Sequence, residues 1–167
     1  MKRTTSILLV VLGALALSFS LVTAAVLNYR AHLSGRYEIP FLVDTQAQGQ
    51  AIFQMKDDGT GMSYMVNVAN LDNVTMAHIH RLPASGTGNG PIIAWLYPSA
   101  PPAVLISGTT NGTLADGVLA DANVVVDYNG DGVKNLSDLV DAIEAGNTYV
   151  NVHTQANPGG EIHGPVH

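Results

Sequence analysis

Four of the six histidines in this 167-residue chain stand in patterns that could do chemistry. His78-Ile79-His80 sets two imidazoles two residues apart, His153 closes the alternating run Tyr149–His153, and His163 closes Glu161–His163. In an extended chain successive side chains point to opposite faces. Ile79, Val150, Val152 and Ile162 then face a core, while His78, His80, Asn151, His153, Glu161 and His163 face the other way. The strand rise separates His78 from His80 by about 7 Å along the chain. If the strands lie side by side, His78, His80, His153 and His163 supply three or four nitrogen ligands, a set suited to copper or zinc. The competing reading is a polar ladder in which imidazole N–H groups fix loops through carbonyls or Glu161. Residue types alone leave both readings open. Asn151 and Glu161 suit ligands or the groups that orient ligands, and His32 and His167 fit neither pattern.

A second constellation runs from Asp127 to Asp138. Asp127, Asn129, Asp131, Asn135 and Asp138 occupy positions 1, 3, 5, 9 and 12 of a twelve-residue calcium loop, with Gly132 at 6 and the Val133 carbonyl at 7. It is similar to the loop of dockerin modules, which also closes on Asp. No incoming helix precedes it and no second copy exists, so it reads as half an EF-hand that holds structure rather than a sensor. The alternative is an acidic Asn-Gly/Asp-Gly turn before a helix.

The elements that must position these groups are strands. Leu27–Leu33, Gln48–Met55, Met62–Val68, Val74–His80, Ile92–Leu96, Ala103–Gly112, Tyr149–His153 and Glu161–His163 read as short β-segments, with Asp57–Gly61 as a hairpin turn. One helix is expected near Leu136–Ala145, because Leu136, Leu139, Val140 and Ile143 form an i, i+3, i+4, i+7 stripe. Ser137 is its expected N-cap and Gly146 its stop. Turn signals at this spacing predict an all-β sandwich or Greek-key barrel rather than alternating strands and helices.

Composition narrows the function classes. The net charge is −6; loss of Lys2 and Arg3 with a leader would make it −8. Too few basic residues remain to neutralise phosphates, which argues against nucleic acid or anionic lipid. Cysteine is absent, so thiolate sites, thiol catalysis and disulfides are excluded. Lys2-Arg3, the apolar run from Ile7 and the small residues Ala24 and Ala25 describe a secretory signal peptide over residues 1–25, with an uncleaved membrane anchor as the alternative. Either way the mature domain, residues 26–167, is expected outside the cytoplasm.

The ordered motifs Ala31-His32-Leu33-Ser34-Gly35 with Glu38-Ile39-Pro40, Ala77-His78-Ile79-His80, Ala145–His153 and Gly159-Gly160-Glu161-Ile162 resemble the CHRD domain, the repeated module of chordin. The resemblance spans the chain from about Asn28 to His167. It implies a secreted immunoglobulin-like sandwich or barrel, similar in architecture to copper-zinc superoxide dismutase, with no settled activity in microbial members. Two departures stand out: His163 occupies a position where the family usually has Arg, and the Asp127–Gly132 segment is unusually acidic.

Other signals are weaker. Asn73, Asn111 and Asn135 head N-glycosylation patterns. Trp95 is expected in the core. No nucleophile motif or carboxylate pair specifies a catalytic residue. The expectation is an exported, non-enzymatic domain of the cell envelope that binds calcium and a transition metal. The alternatives are a copper-dependent oxidoreductase and a self-assembling filament or surface-layer subunit.

Overall fold

The computed structural model describes residues 27–83, 88–125, 130 and 132–167. The expected leader therefore lies outside the described residues, as do Asp127, Asn129 and Asp131. Among the described residues no helix is long and apolar enough to cross a membrane.

Seven strands form one continuous sheet: β1 (Asn28–Ser34), β2 (Gln48–Met55), β3 (Met62–Arg81), β4 (Ile92–Tyr97), β5 (Ile106–Leu119), β6 (Thr148–Thr154) and β7 (Ile162–Pro165). All pairings are antiparallel, in the order β2-β1-β7-β6-β3-β4, with β5 beside β3. Pairing of β2 with β3 closes β2, β1, β7, β6 and β3 into a ring, so the all-β sandwich is also a barrel. The alternation read from sequence places Ala51, Phe53, Met62, Tyr64, Val66 and Val68 in the core with Ile79, Val150, Val152 and Ile162.

Strand β3 makes this closure possible. Its first half pairs with β2 and β5, its second with β6 and β4. A strand this long overshoots one sheet and must bend. Register shifts against β5 fall between Val68 and Leu71 and between Asp72 and Val74. Asn70 and Asn73 absorb the bend at φ 57° and 51°, a left-handed region that Asn tolerates better than most residues. The two separate strands expected over Met62–His80 are thus one strand, because β5 pairs across the polar stretch between them.

The expected Ala103–Gly112 strand begins later and continues to Leu119. Gly117, which looks like a breaker in sequence, sits opposite Tyr64, where an added Cβ would lie 3.0 Å from the phenol ring.

Helix α1 (Leu136–Glu144) buries the expected stripe of Leu136, Leu139, Val140 and Ile143. Its N-cap is Asn135 rather than Ser137: the Asn135 side chain accepts from the Asp138 amide, and Asp121 accepts from the Leu136 amide, both at 2.9 Å. The carboxamide of Asn135 reaches an amide of the helix's first turn, whereas Ser137 already lies inside that turn. Tyr29 donates to Glu144 at 3.0 Å and ties the far end of the helix to β1.

The β1–β7 seam is the narrowest part of the ring. Ser34 faces His163, and Arg30 and His167 exchange backbone hydrogen bonds at 2.8 and 3.0 Å. Between them Gly164 packs against the His32 carbonyl with no room for a Cβ. Gly164→Ala should force these backbones apart and destabilise the domain by about 1–3 kcal/mol, read as a lower urea midpoint with unchanged slope. An unchanged midpoint would show that the seam is not under this constraint.

Candidate metal centre

Strand β6 is buried along its whole length, on both faces. One face joins the apolar core. The other carries Tyr149, Asn151 and His153 beneath two crossing segments, Asn89–Gly90 and Pro158–Gly160. The Asn89 amide donates to the Gly159 carbonyl, the Asn151 amide donates to the same oxygen at 3.3 Å, and the Gly90 N–H donates to the Tyr149 hydroxyl at 2.8 Å. The polar face read from the alternation is therefore an interior layer.

The register sets His78 beside Asn151, His80 beside Tyr149 and Met76 beside His153. His78, His80 and His153 meet there, 0%, 3% and 4% exposed, with one ring nitrogen of each within 4.8 Å of the other two. Their ring centroids are 5.1 to 5.9 Å apart. Tetrahedral ligands at about 2.0–2.1 Å from a metal stand about 3.3 Å from one another, so small rotamer changes would close the set.

Neighbouring carbonyls assign the tautomers. His80 Nδ1 is 2.9 Å from the Gly90 oxygen and His153 Nδ1 is 3.0 Å from the Pro158 oxygen. A carbonyl only accepts, so both Nδ1 atoms carry the proton and both Nε2 atoms keep a lone pair. His153 Nε2 lies 3.2 Å from His78 Nδ1 and accepts from it, which leaves a lone pair on His78 Nε2 as well. The Nε2 atoms of His78 and His80 are buried without a hydrogen-bond partner. Carbonyl-anchored N–H groups thus lie on one side of the His80 and His153 rings, while the Nε2 atoms of His78 and His80 keep lone pairs without a donor.

His163 does not join the three. Strand β6 lies between β3 and β7, and the Tyr149 ring fills the space between His80 and His163. It stacks on His80 at 5.0 Å and 6° and on His163 at 4.0 Å and 2°. Glu161 is also apart from the group. Its carboxylate accepts from Thr45 and Thr154, both at 2.7 Å, and from Asn157 at 3.1 Å. That clamp shapes the loop from which Pro158 presents its carbonyl to His153. His32 and His167 are exposed.

Burial favours the neutral form of each imidazole. It pushes His78 down to about 2, helped by the neighbouring His153 and His80. His80 falls to about 4 by burial, against the Gly90 hydrogen bond, which raises it. Burial alone takes His163 to about 4 and also lowers His153, where the Pro158 bond opposes it. Glu38 goes the other way: burial raises it to about 7, although hydrogen bonds from Asn151 and the Ile39 backbone pull it down. Neutral imidazoles at neutral pH offer lone pairs with no proton to displace.

Sequence reasoning placed Trp95 in the core and gave Tyr149 no role. Trp95 is half-buried and meets His78 edge-on at 4.2 Å and 82°. The alternation of Tyr149 with His153 in one run was the available sign that Tyr149 shares their layer. Of the acidic-loop residues described, Val133 is buried, Asn135 caps α1, and the Asp138 carboxylate accepts from the Lys134 amide at 2.9 Å.

A β-sandwich with a buried histidine layer over one sheet defines the class of domain. The family model for the CHRD domain matches residues 29–166, and the chain belongs to that family. No curated protein and no solved structure matches it.

The shifted histidines make metal-free stability depend on pH. An imidazole with an ordinary unfolded value near 6.5 and a lower folded one contributes stability above 6.5 that is lost as pH falls. Between pH 7 and 5, His78, His80 and His163 should each cost on the order of 2 kcal/mol. Glu38, raised to about 7 when folded, acts oppositely and returns about as much as one histidine loses. The urea midpoint of the metal-free protein should therefore drop from pH 7 to pH 5. A midpoint that holds or rises would contradict the burial of these rings.

Proposed function

We propose that this CHRD domain is an exported, non-enzymatic metal-binding protein of the cell envelope. Its transition-metal ligands are His78, His80 and His153, and its metal is copper or zinc. The observation that carries the reading is the convergence of three buried, neutral imidazoles, two of them with unpartnered Nε2 atoms. A buried lone pair without a donor costs about 1–3 kcal/mol. Two of them beside a third imidazole are costly for a structural ladder and useful to a cation. The Gly90 and Pro158 carbonyls fit the role of groups that orient metal-bound imidazoles and sharpen their basicity.

Trp95, the chain's single tryptophan, lies against His78 and gives a direct readout. Cupric ion titrated into metal-free protein should quench its emission and saturate at one equivalent. His153→Ala should weaken that response by roughly a hundredfold. A wild-type protein whose emission and metal content are unchanged by copper and by zinc would sink this reading. A redox assay on the copper-loaded protein separates it from the oxidoreductase alternative, in which turnover accompanies binding.

Calcium is the second proposed ligand, held by Asp127, Asn129, Asp131, the Val133 carbonyl, Asn135 and Asp138. The supporting observation is the Asn135 cap on the Asp138 amide, which turns the last loop positions into the first turn of α1 as a calcium loop requires. About 10 mM calcium should add on the order of 2 kcal/mol of stability, and Asp138→Ala should remove the increment. An increment that survives in Asp138→Ala would place calcium elsewhere.

A further inference from the structure

The register that gathers the histidines also sets a sulfur beside them. Met76 stands directly opposite His153, and β3 holds an unbroken register against β6 from Met76 to Arg81. Ala77 and Ile79 are fully buried and belong to the apolar core, so Met76 shares the face of His78 and His80. Directly opposed residues in an antiparallel pair have Cβ atoms about 4.5–5.5 Å apart. Methionine has three rotatable bonds and a polarisable thioether, enough reach to bring sulfur to a metal held by its neighbours. The chain has no cysteine, which makes thioether the softest ligand it can offer.

Charge points the same way. Three neutral imidazoles form the group, and among the described residues no carboxylate joins them within the same distance. The cost of burying an ion scales with the square of its charge, so a monovalent ion costs about a quarter as much as a divalent one of similar size. A dry, anion-free ligand set therefore discriminates against divalent ions, and a thioether beside imidazoles selects cuprous ion among biological metals.

We propose that this histidine group is a cuprous site with the Met76 thioether sulfur as its fourth ligand, an inference that rests on the transition-metal reading above. The test uses full-length mature protein without oxygen, loaded with cuprous ion and competed with the chromogenic chelator bicinchoninate. One cuprous ion per chain should be retained, and copper-edge X-ray absorption should report nitrogen scatterers with one sulfur. Met76→Leu, close in volume, should lose the sulfur signal and release copper to the chelator at least tenfold more readily. Its quenching of Trp95 by zinc or cupric ion, where wild type responds to them, should shift less than threefold. A wild-type spectrum with nitrogen ligands alone overturns the proposal without any variant. So does a folded Met76→Leu protein that retains cuprous ion as tightly as wild type. In both cases the three-histidine site survives, whereas failure of wild type to hold any metal removes the site itself.

Discussion

Burial of β6 on both faces is the constraint on which the rest of this structure depends. A strand enclosed on two sides normally reads as a continuous apolar run. Here only Val150 and Val152 are apolar partners of the main core, and the opposite face presents Tyr149, Asn151 and His153. Every polar atom in that layer must find a partner inside the protein or remain available to a ligand. Carbonyls of Gly90 and Pro158 and the amide of Asn89 meet part of the demand. Among the described residues, seven buried side-chain atoms lack a partner, and those of Glu38, His78, His80, Asn151 and His163 belong to this layer or adjoin it. The polar cost of the fold is concentrated in one place.

The remaining architecture serves that layer. Strand β3 bends at two asparagines so that one chain segment both closes the ring and delivers His78 and His80 to β6. Glu161 binds two threonines and an asparagine, and so shapes the turn that carries the Pro158 carbonyl. Tyr149 sets the limit of the group. Stacked between two imidazoles, it admits His80 to the cluster and keeps His163 outside it. Its hydroxyl accepts from Gly90, the residue whose carbonyl anchors His80. One aromatic ring thus separates two histidines and helps fix the orientation of one of them.

Much of this was legible in the residues. The residue pattern located five of the seven strands closely, since a period of two is a property of the extended backbone itself. The helical stripe of α1 was equally plain. Polar Asn70 and Asn73 concealed the continuity of β3, because a bent strand and a loop use the same residue types. Ser137 was mistaken for the cap because serine and asparagine are both good caps and stand two residues apart here. Burial of the histidine face was not legible at all. Alternation says which side chains share a face, and only the loops folded across that face decide whether water reaches it.

By itself, the sequence determined the all-β class, the family, the absence of thiolate chemistry and the sharing of one face by the histidines. These follow from composition, order and local periodicity, which need no knowledge of distant contacts. Tertiary structure alone decided that three of those histidines converge and that the fourth stands behind a tyrosine. It also decided that two loop carbonyls orient the rings and that a methionine enters the same row. Each of these depends on the order of strands in the sheet and on their register. A shift of one residue in pairing would turn every one of those side chains to the other face.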